Sequence, residues 1–292
     1  MKPSVHQFGA SGIFVISDSN NIERRQRFVE DWSNVSNFDY EFVDATMGSS
    51  IDVSSLINEG RLTKFWCGEG GVSRNVIACF LSHRKVWKSI KDLPHENYYL
   101  ILEDDVRLTP YFLNTAFSNG EFKKVLNNIH KEDINCFWWG RADNKVIGKQ
   151  YNKHLKVPDA FIALGAHSYM ITPGFANYLY NESFNISCPA DVFIDLLLLG
   201  IKRHYTPNFS YMRQMQHMIK DRFFPLDHKY RVWGSTTQPD WTDHTTRVYE
   251  GLYKNVSPDI RKFITGASQE FIAEFKKGIS FKFEIFEEKE LL

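Results

Sequence analysis

The run YYLILEDDV, residues 98–106, decides how the chain is read. Tyr98 to Leu102 carry no charge and suit a buried strand, and Glu103, Asp104 and Asp105 follow without a break. A short apolar run of this kind is the pattern of a strand covered on both faces. Three adjacent carboxylates repel one another, and burial raises the pKa of each. A divalent cation removes the conflict, because carboxylate oxygens are natural ligands for Mg²⁺ or Mn²⁺. Such an ion has coordination positions left for a diphosphate. The carboxyl end of a parallel strand is also where open α/β sheets bind ligands. The plainer reading is a solvated acidic turn, although a surface turn needs no such buried lead-in.

Working outward, strands and helices alternate. GIFVIS (12–17) is a β-rich run, and IERRQRFVEDW (22–32) sets Ile22, Phe28, Val29 and Trp32 on one helical face. FDYEFVDA (38–45) alternates like a half-buried strand, so the chain starts β-α-β. VSRNVIACFLSHRKVWKSI (72–90) is predicted helical, with Ser73 as its cap. Helices are expected at 111–117 and 121–129, and strands at 134–140 and 161–172. Pro173 opens another helix, and Pro189 lies in the first turn of CPADVFIDLLLLG (188–200). The pattern predicts an α/β domain with a mostly parallel sheet flanked by helices. Beyond Arg203 the chain is irregular, then helical again at 257–277.

Lys plus Arg and Asp plus Glu number 35 each, so no basic excess points to nucleic acid. No stretch approaches the ~20 apolar residues that span a bilayer, and the first residues lack a signal's apolar core. Cys67, Cys79, Cys136 and Cys188 show no CxxC pair and no zinc spacing, so they read as free thiols of a cytoplasmic protein.

Six blocks in order carry a family likeness: the VIS…ERR opening, YEFVDA, ACFLSHRKVW, LILEDDV, GAHSYMIT and PADVFI. Over residues 12–217 the chain resembles glycosyltransferase family 25, whose members transfer sugars in lipopolysaccharide and collagen glycosylation. The resemblance implies the GT-A-like nucleotide-diphospho-sugar transferase fold over 1–217, with a C-terminal extension over 218–292. It implies a UDP-sugar donor, Mn²⁺ or Mg²⁺ as cofactor, and an oligosaccharide or lipid-linked saccharide acceptor. UDP-galactose is the favoured donor and UDP-glucose its competitor.

Carried over residue by residue, Asp105 becomes the metal ligand and Glu103 faces the ribose or a metal-bound water. Asp104 orients one of them, or pairs with a nearby Lys or Arg. Ser17 and Arg24 match the nucleotide turn, with Arg25 and Arg27 read as solvated charges. Asp18 and Asn20 depart from the family's Leu and Arg, and Val76 stands where its Glu is usual. Ser82 and His83 match its SH pair as supporting groups, and His167 is placed at donor or acceptor. Asp191 is the candidate catalytic base, with a helix-stabilising acid as its alternative. His217 is a candidate late metal ligand. Trp138, Trp139 and Trp233 are candidate acceptor platforms, Trp138 and Trp139 on opposite sheet faces. A metal-dependent hydrolase and a non-catalytic saccharide-binding protein are the rival classes. The stripe of Ile260, Phe263, Ile264, Phe271, Ile272 and Phe275 packs on the domain or lies on the inner face of the cytoplasmic membrane.

Overall fold

Alternate residues of the central strands point to opposite sides of one sheet, and each side has its own apolar layer. A computed structural model describes residues 8–35, 39–62, 74–95, 97–129, 134–141, 148–158, 165–186, 189–198 and 204–214. Ser73, Cys67, Cys188, His217, Trp233 and the 218–292 extension lie outside the described residues.

In chain order the elements are β1 (Gly12–Ser17), α1 (Ile22–Val35), β2 (Glu41–Asp44), α2 (Val53–Asn58), α3 (Arg74–Ile90), β3 (Tyr99–Glu103) and β4 (Val106–Leu108). A π-helical turn (Phe112–Ala116), α4 (Glu121–Ile129), β5 (Cys136–Trp138), β6 (Gly148–Gln150) and β7 (Leu155–Pro158) follow. The last are β8 (Ser168–Ile171), α5 (Pro173–Glu182), α6 (Ala190–Leu198), β9 (His204–Pro207) and β10 (Met212–Gln214).

The main sheet runs β2-β1-β3-β8-β5-β9-β7-β6. β1 is parallel to β2 and β3, as the helical crossovers between them require. The expected parallel order breaks at β8, which is antiparallel to both β3 and β5. Among the described residues a β6–β7 hairpin lies between β5 and β8, and an antiparallel neighbour needs no helical crossover. β5 and β9 are again parallel, and β7 opposes β9. The outcome is a mixed sheet of the GT-A-like kind, flanked by helices.

On one side, Phe14, Ile16, Ile101, Trp138 and Tyr169 pack with Phe80 and Trp87 of α3, Phe175 of α5 and Phe193 of α6. On the other, Val15, Leu100, Leu102, Phe137 and Met170 pack with Phe28 and Trp32 of α1, Phe112, and Phe122 of α4. Each such fully buried side chain contributes about 1.5–3 kcal/mol. The α1 stripe is narrower than expected: Phe28 and Trp32 are buried, but Ile22 is 72% and Val29 40% exposed. Among the described strands β2 lies at the sheet edge, and Tyr40 and Phe42 reach under the helix to Phe28.

α5 starts as its sequence requires, with Pro173 in the first turn and the Thr172 side chain accepting from Phe175 N–H at 3.2 Å. Gly140 after β5 is obligatory, because a Cβ there would lie 1.5 Å from the Met212 carbonyl oxygen. That approach lets Trp139 C=O accept from Tyr211 N–H at 2.8 Å and brings β10 back beside β4. No described helix is long and apolar enough to cross a membrane.

Candidate active site

The acidic triplet sits at the carboxyl end of β3, and its backbone is fixed from both neighbouring strands. Glu103 N–H donates to His167 C=O beside β8, and Asp104 N–H donates to Ile16 C=O of β1. Arg107, held to Asp31 at 2.8 Å, also donates to the Asp104 carbonyl at 2.9 Å. The Trp32 indole N–H donates to Val106 C=O. With the backbone satisfied in this way, the three carboxylates are aimed separately.

Asp104 turns inward. Its Oδ2 accepts from the Ser17 hydroxyl at 2.8 Å, and its Oδ1 accepts from Arg24 Nε at 2.6 Å. Burial raises the Asp104 pKa, while Arg24 and Ser17 pull against that rise. Burial also opposes the Arg24 charge, but Asp105 and Asp104 outweigh it and its pKa is raised. Glu103 behaves differently. Burial works to raise its pKa, but hydrogen bonds from His83 and Gln214 and the field of His167 bring it below the usual value.

The tautomer of His83 follows from its partners. Trp87 Nε1, which can only donate, gives its hydrogen to Tyr169 Oη at 2.8 Å. Tyr169 Oη lies 2.9 Å from His83 Nδ1 and has one hydrogen to give, so Nδ1 accepts. His83 Nε2–H then faces Glu103 Oε1 at 3.3 Å, and Gln214 holds Oε2 at 2.8 Å.

Asp105 is the unsatisfied member. It is 5% exposed, its Oδ2 lies 3.4 Å from Arg24, and its Oδ1 has no hydrogen-bond partner among the described residues. Burial first, then the neighbouring Glu103 and Asp104 charges, push its pKa up to about 7 against the pull of Arg24. A buried carboxylate oxygen without a donor is a ready ligand for a hard cation, so the residues present fit Mn²⁺ or Mg²⁺ at this position. Asp191, in the first turn of α6, is also buried, and its Oδ2 accepts from Gly165 N–H at 2.9 Å. Gly165 has φ 120°, a region that favours glycine. Burial first, then the charges of Glu103, Asp191 and Asp105, push the Cys79 thiol well above its ordinary pKa.

The structure thus gathers Ser17, Arg24, His83, Glu103, Asp104, Asp105 and His167 at one strand end. Several expectations change. The Ser17 hydroxyl and the Arg24 guanidinium are engaged by carboxylates of the protein, because α1 lies directly over the turn. Asp104 takes the second of the two roles read for it, as the partner of an arginine, Arg24. Arg25 is not a solvated charge: it donates to Ser17 C=O at 2.9 Å and lies 4.8 Å over the Phe42 ring. Arg27 pairs with Glu30 at 3.7 Å.

Ser82 ties α3 to the loop after β2, accepting from Thr46 N–H at 2.9 Å, and does not touch the acids. His167 is fully buried and acts on Glu103 by its field. Trp138 and Trp139 do point to opposite faces, yet both are fully buried, so neither is an acceptor platform. The sequence reading missed Cys79, Tyr169 and Gln214. Cys79 and His83 stand four apart on one helix face, a signal that was available. Nothing local marks Gln214, 111 residues from Glu103.

The fold and the acid-bearing strand end define the class first: a GT-A-like nucleotide-sugar transferase fold. The profile described as glycosyltransferase family 25 (LPS biosynthesis protein) matches residues 10–194, more than half of the chain. The chain belongs to glycosyltransferase family 25. It is similar to a "Glycosyltransferase 25 family member" of Aedes aegypti, 30% identical over 112 residues, 36% of this chain and 18% of that protein. A protein of the same description from Drosophila melanogaster is 28% identical over 126 residues, 39% of this chain and 19% of its own length. A protein of Acanthamoeba polyphaga mimivirus named as a glycosyltransferase is 33% identical over 101 residues, 34% of this chain and 30% of its own length. The matched stretches thus span less than a third of each relative.

Proposed function

We propose that the protein transfers a hexose from a UDP-sugar to a saccharide acceptor, with inversion at the anomeric carbon. The observation that carries this reading is the different placing of two buried carboxylates, Asp105 after the end of β3 and Asp191 in the first turn of α6. Asp105 is buried with an oxygen left without a donor among the described residues, and Asp191 sits on a separate helix start, where the helix dipole stabilises a carboxylate. One suits a cation and the other suits a proton.

Asp105 would hold the Mn²⁺ or Mg²⁺ ion, and that ion would supply charge neutralisation for the departing diphosphate. Arg24 keeps Asp104 from adding a further free negative charge beside it. His83 and Gln214 hold Glu103 ionised and fixed in orientation, ready to accept from a ribose hydroxyl or a bound water. Asp191 accepts the proton of the acceptor hydroxyl as its oxygen bonds to the anomeric carbon. The bond from that carbon to the diphosphate oxygen breaks, and its electron pair leaves with UDP. General-base help of this kind contributes about 10²–10⁴-fold. The favoured donor is UDP-galactose, and the acceptor class is a lipooligosaccharide or similar saccharide.

The test is incubation of the full chain with a panel of nucleotide sugars and Mn²⁺, with and without oligosaccharide acceptors. Products are read by mass spectrometry and anomeric NMR. An elongated acceptor of inverted configuration formed from UDP-galactose is expected. Free sugar alone would instead make the protein a hydrolase, and donor binding without turnover would make it a saccharide-binding member of the fold.

A further inference from the structure

The thiol of Cys79 has no part in the reaction proposed above, yet it stands among the site's charges. Cys79 and His83 are one turn apart on α3, and Glu103 at the end of β3 faces them. One ligand atom of each (Sγ, a ring nitrogen and a carboxylate oxygen) lies within 4.8 Å of the others. The His83 Nε2 to Glu103 Oε1 separation is 3.3 Å. That is long for a charge-assisted hydrogen bond, which is usually about 2.7–2.9 Å. It matches the ~3.3 Å edge of a tetrahedron with metal–ligand bonds of about 2.0–2.1 Å.

We propose that Cys79 Sγ, His83 Nε2 and a Glu103 oxygen form a site for a thiophilic divalent cation of the Zn²⁺ class, distinct from the oxygen-ligand position at Asp105. The ligand set decides the class. Thiolate and imidazole with one carboxylate suit Zn²⁺ or Co²⁺, whereas Mg²⁺ and Mn²⁺ favour oxygen alone.

The groups behind the ligands are already in place. Tyr169 Oη, itself anchored by Trp87, stands behind Nδ1, and Gln214 fixes the other Glu103 oxygen. Such outer partners orient ligands in metal sites. On coordination, His83 loses its Nε2 proton and takes one up at Nδ1, the Tyr169 hydroxyl rotates so that Oη accepts from Nδ1–H as well as from Trp87 Nε1–H, and the thiol releases its proton to solvent. Three ligands leave the fourth position open to water. Glu103, Asp105 and Asp191 supply the negative field that attracts a dication. Cys79 is partly exposed, which gives an ion a route in. The proposal does not depend on the reaction assigned above, but it has a consequence for it. An ion at Cys79 takes Glu103 away from the nucleotide, so Zn²⁺ is expected to inhibit where Mn²⁺ activates.

Co²⁺ titration of the metal-free full chain, without nucleotide, tests the site. The expected spectrum has a near-ultraviolet thiolate-to-cobalt charge-transfer band and visible bands of tetrahedral intensity, both removed by added Zn²⁺. In Cys79→Ser the charge-transfer band should vanish and Zn²⁺ affinity should fall at least about tenfold. A second measurement uses the unaltered protein: Zn²⁺, but not Mg²⁺, should slow iodoacetamide labelling of the Cys79 peptide at least about tenfold. Only weak octahedral bands, a charge-transfer band that survives Cys79→Ser, or unslowed labelling of Cys79 would each overturn the proposal. Mn²⁺-dependent UDP binding, measured in parallel, keeps the two ideas apart. Its absence from the wild-type chain strikes the nucleotide-sugar reading and leaves the cobalt result standing.

Discussion

Two buried charge clusters sit at this edge of the molecule, and they are built on opposite plans. Beyond β5, Arg141 forms a bidentate pair with Asp195 of α6 at 2.6 and 3.1 Å. The Arg141 guanidinium also lies 4.1 Å over the Trp138 ring, and the two charged side chains are 0% and 1% exposed. At the end of β3 Asp104 and Asp105 share one arginine, Arg24, and Asp105 keeps an oxygen without a partner among the described residues. A closed pair of this kind fixes structure, here clamping α6, whose Asp191 is one turn earlier. An open cluster stores unsatisfied charge that a ligand can relieve. Burial alone therefore does not find the site, whereas incomplete pairing does.

The largest effect should come from opening the closed cluster. Asp195→Asn strands the Arg141 charge in the interior and should destabilise the protein by about 3–5 kcal/mol in urea unfolding. A loss below about 1 kcal/mol would mean that the pair is wetter than its geometry indicates.

The same cluster should also govern acid stability through His204, whose strand pairs Cys136 with it in register. Burial lowers the His204 pKa to about 4, with Asp195 opposing and Arg141 adding to the shift. The unfolded chain therefore binds more protons than the native one between pH 6.5 and 4. Stability should fall by up to about 3 kcal/mol as pH drops through that window. Melting curves across this range should be flatter for His204→Gln than for wild type, and equal slopes would contradict the assignment.

Across the divide, Asp191→Asn should lower kcat by about 10²-fold or more while leaving UDP affinity unchanged in calorimetry. If more than about a tenth of the rate persists, the base must be another group.

The smallest effect has the opposite sign. Asp105→Asn removes a buried, poorly paired carboxylate and should stabilise the metal-free protein on the order of 1 kcal/mol at pH 8. It should also weaken UDP binding in Mn²⁺. A variant that loses stability, as Asp195→Asn should, would erase the distinction between the two clusters.

What could be read in the sequence follows the same divide. The β1 and β3 runs are apolar on both faces and lead straight into Ser17 and Glu103, so the parallel half of the sheet and its acids were legible. Arg141 and Asp195 lie 54 residues apart, and no local pattern joins them. β8 looked like any other strand, and its reversed direction depends on a hairpin whose residues carry little signal. The inward turn of Asp104 was likewise hidden, because it depends on where α1 lays Arg24. The fit of Cys79 and His83 was written in their spacing, but became meaningful only once Glu103 stood opposite.

The hydrogen bond from Gln214 to Glu103 spans 111 residues. During synthesis the acidic strand leaves the ribosome well before its amide partner exists. β9, which lies between β5 and β7, is made equally late. A nascent chain that stops at residue 194, where the family match ends, would hold the acids without the strand that fills the sheet or the amide that aims Glu103. Non-local closure of this type folds slowly, since the loop entropy is lost before the contact is gained. Among the described residues this edge is therefore completed late, and a growing chain carries it unfinished until β9 and β10 arrive.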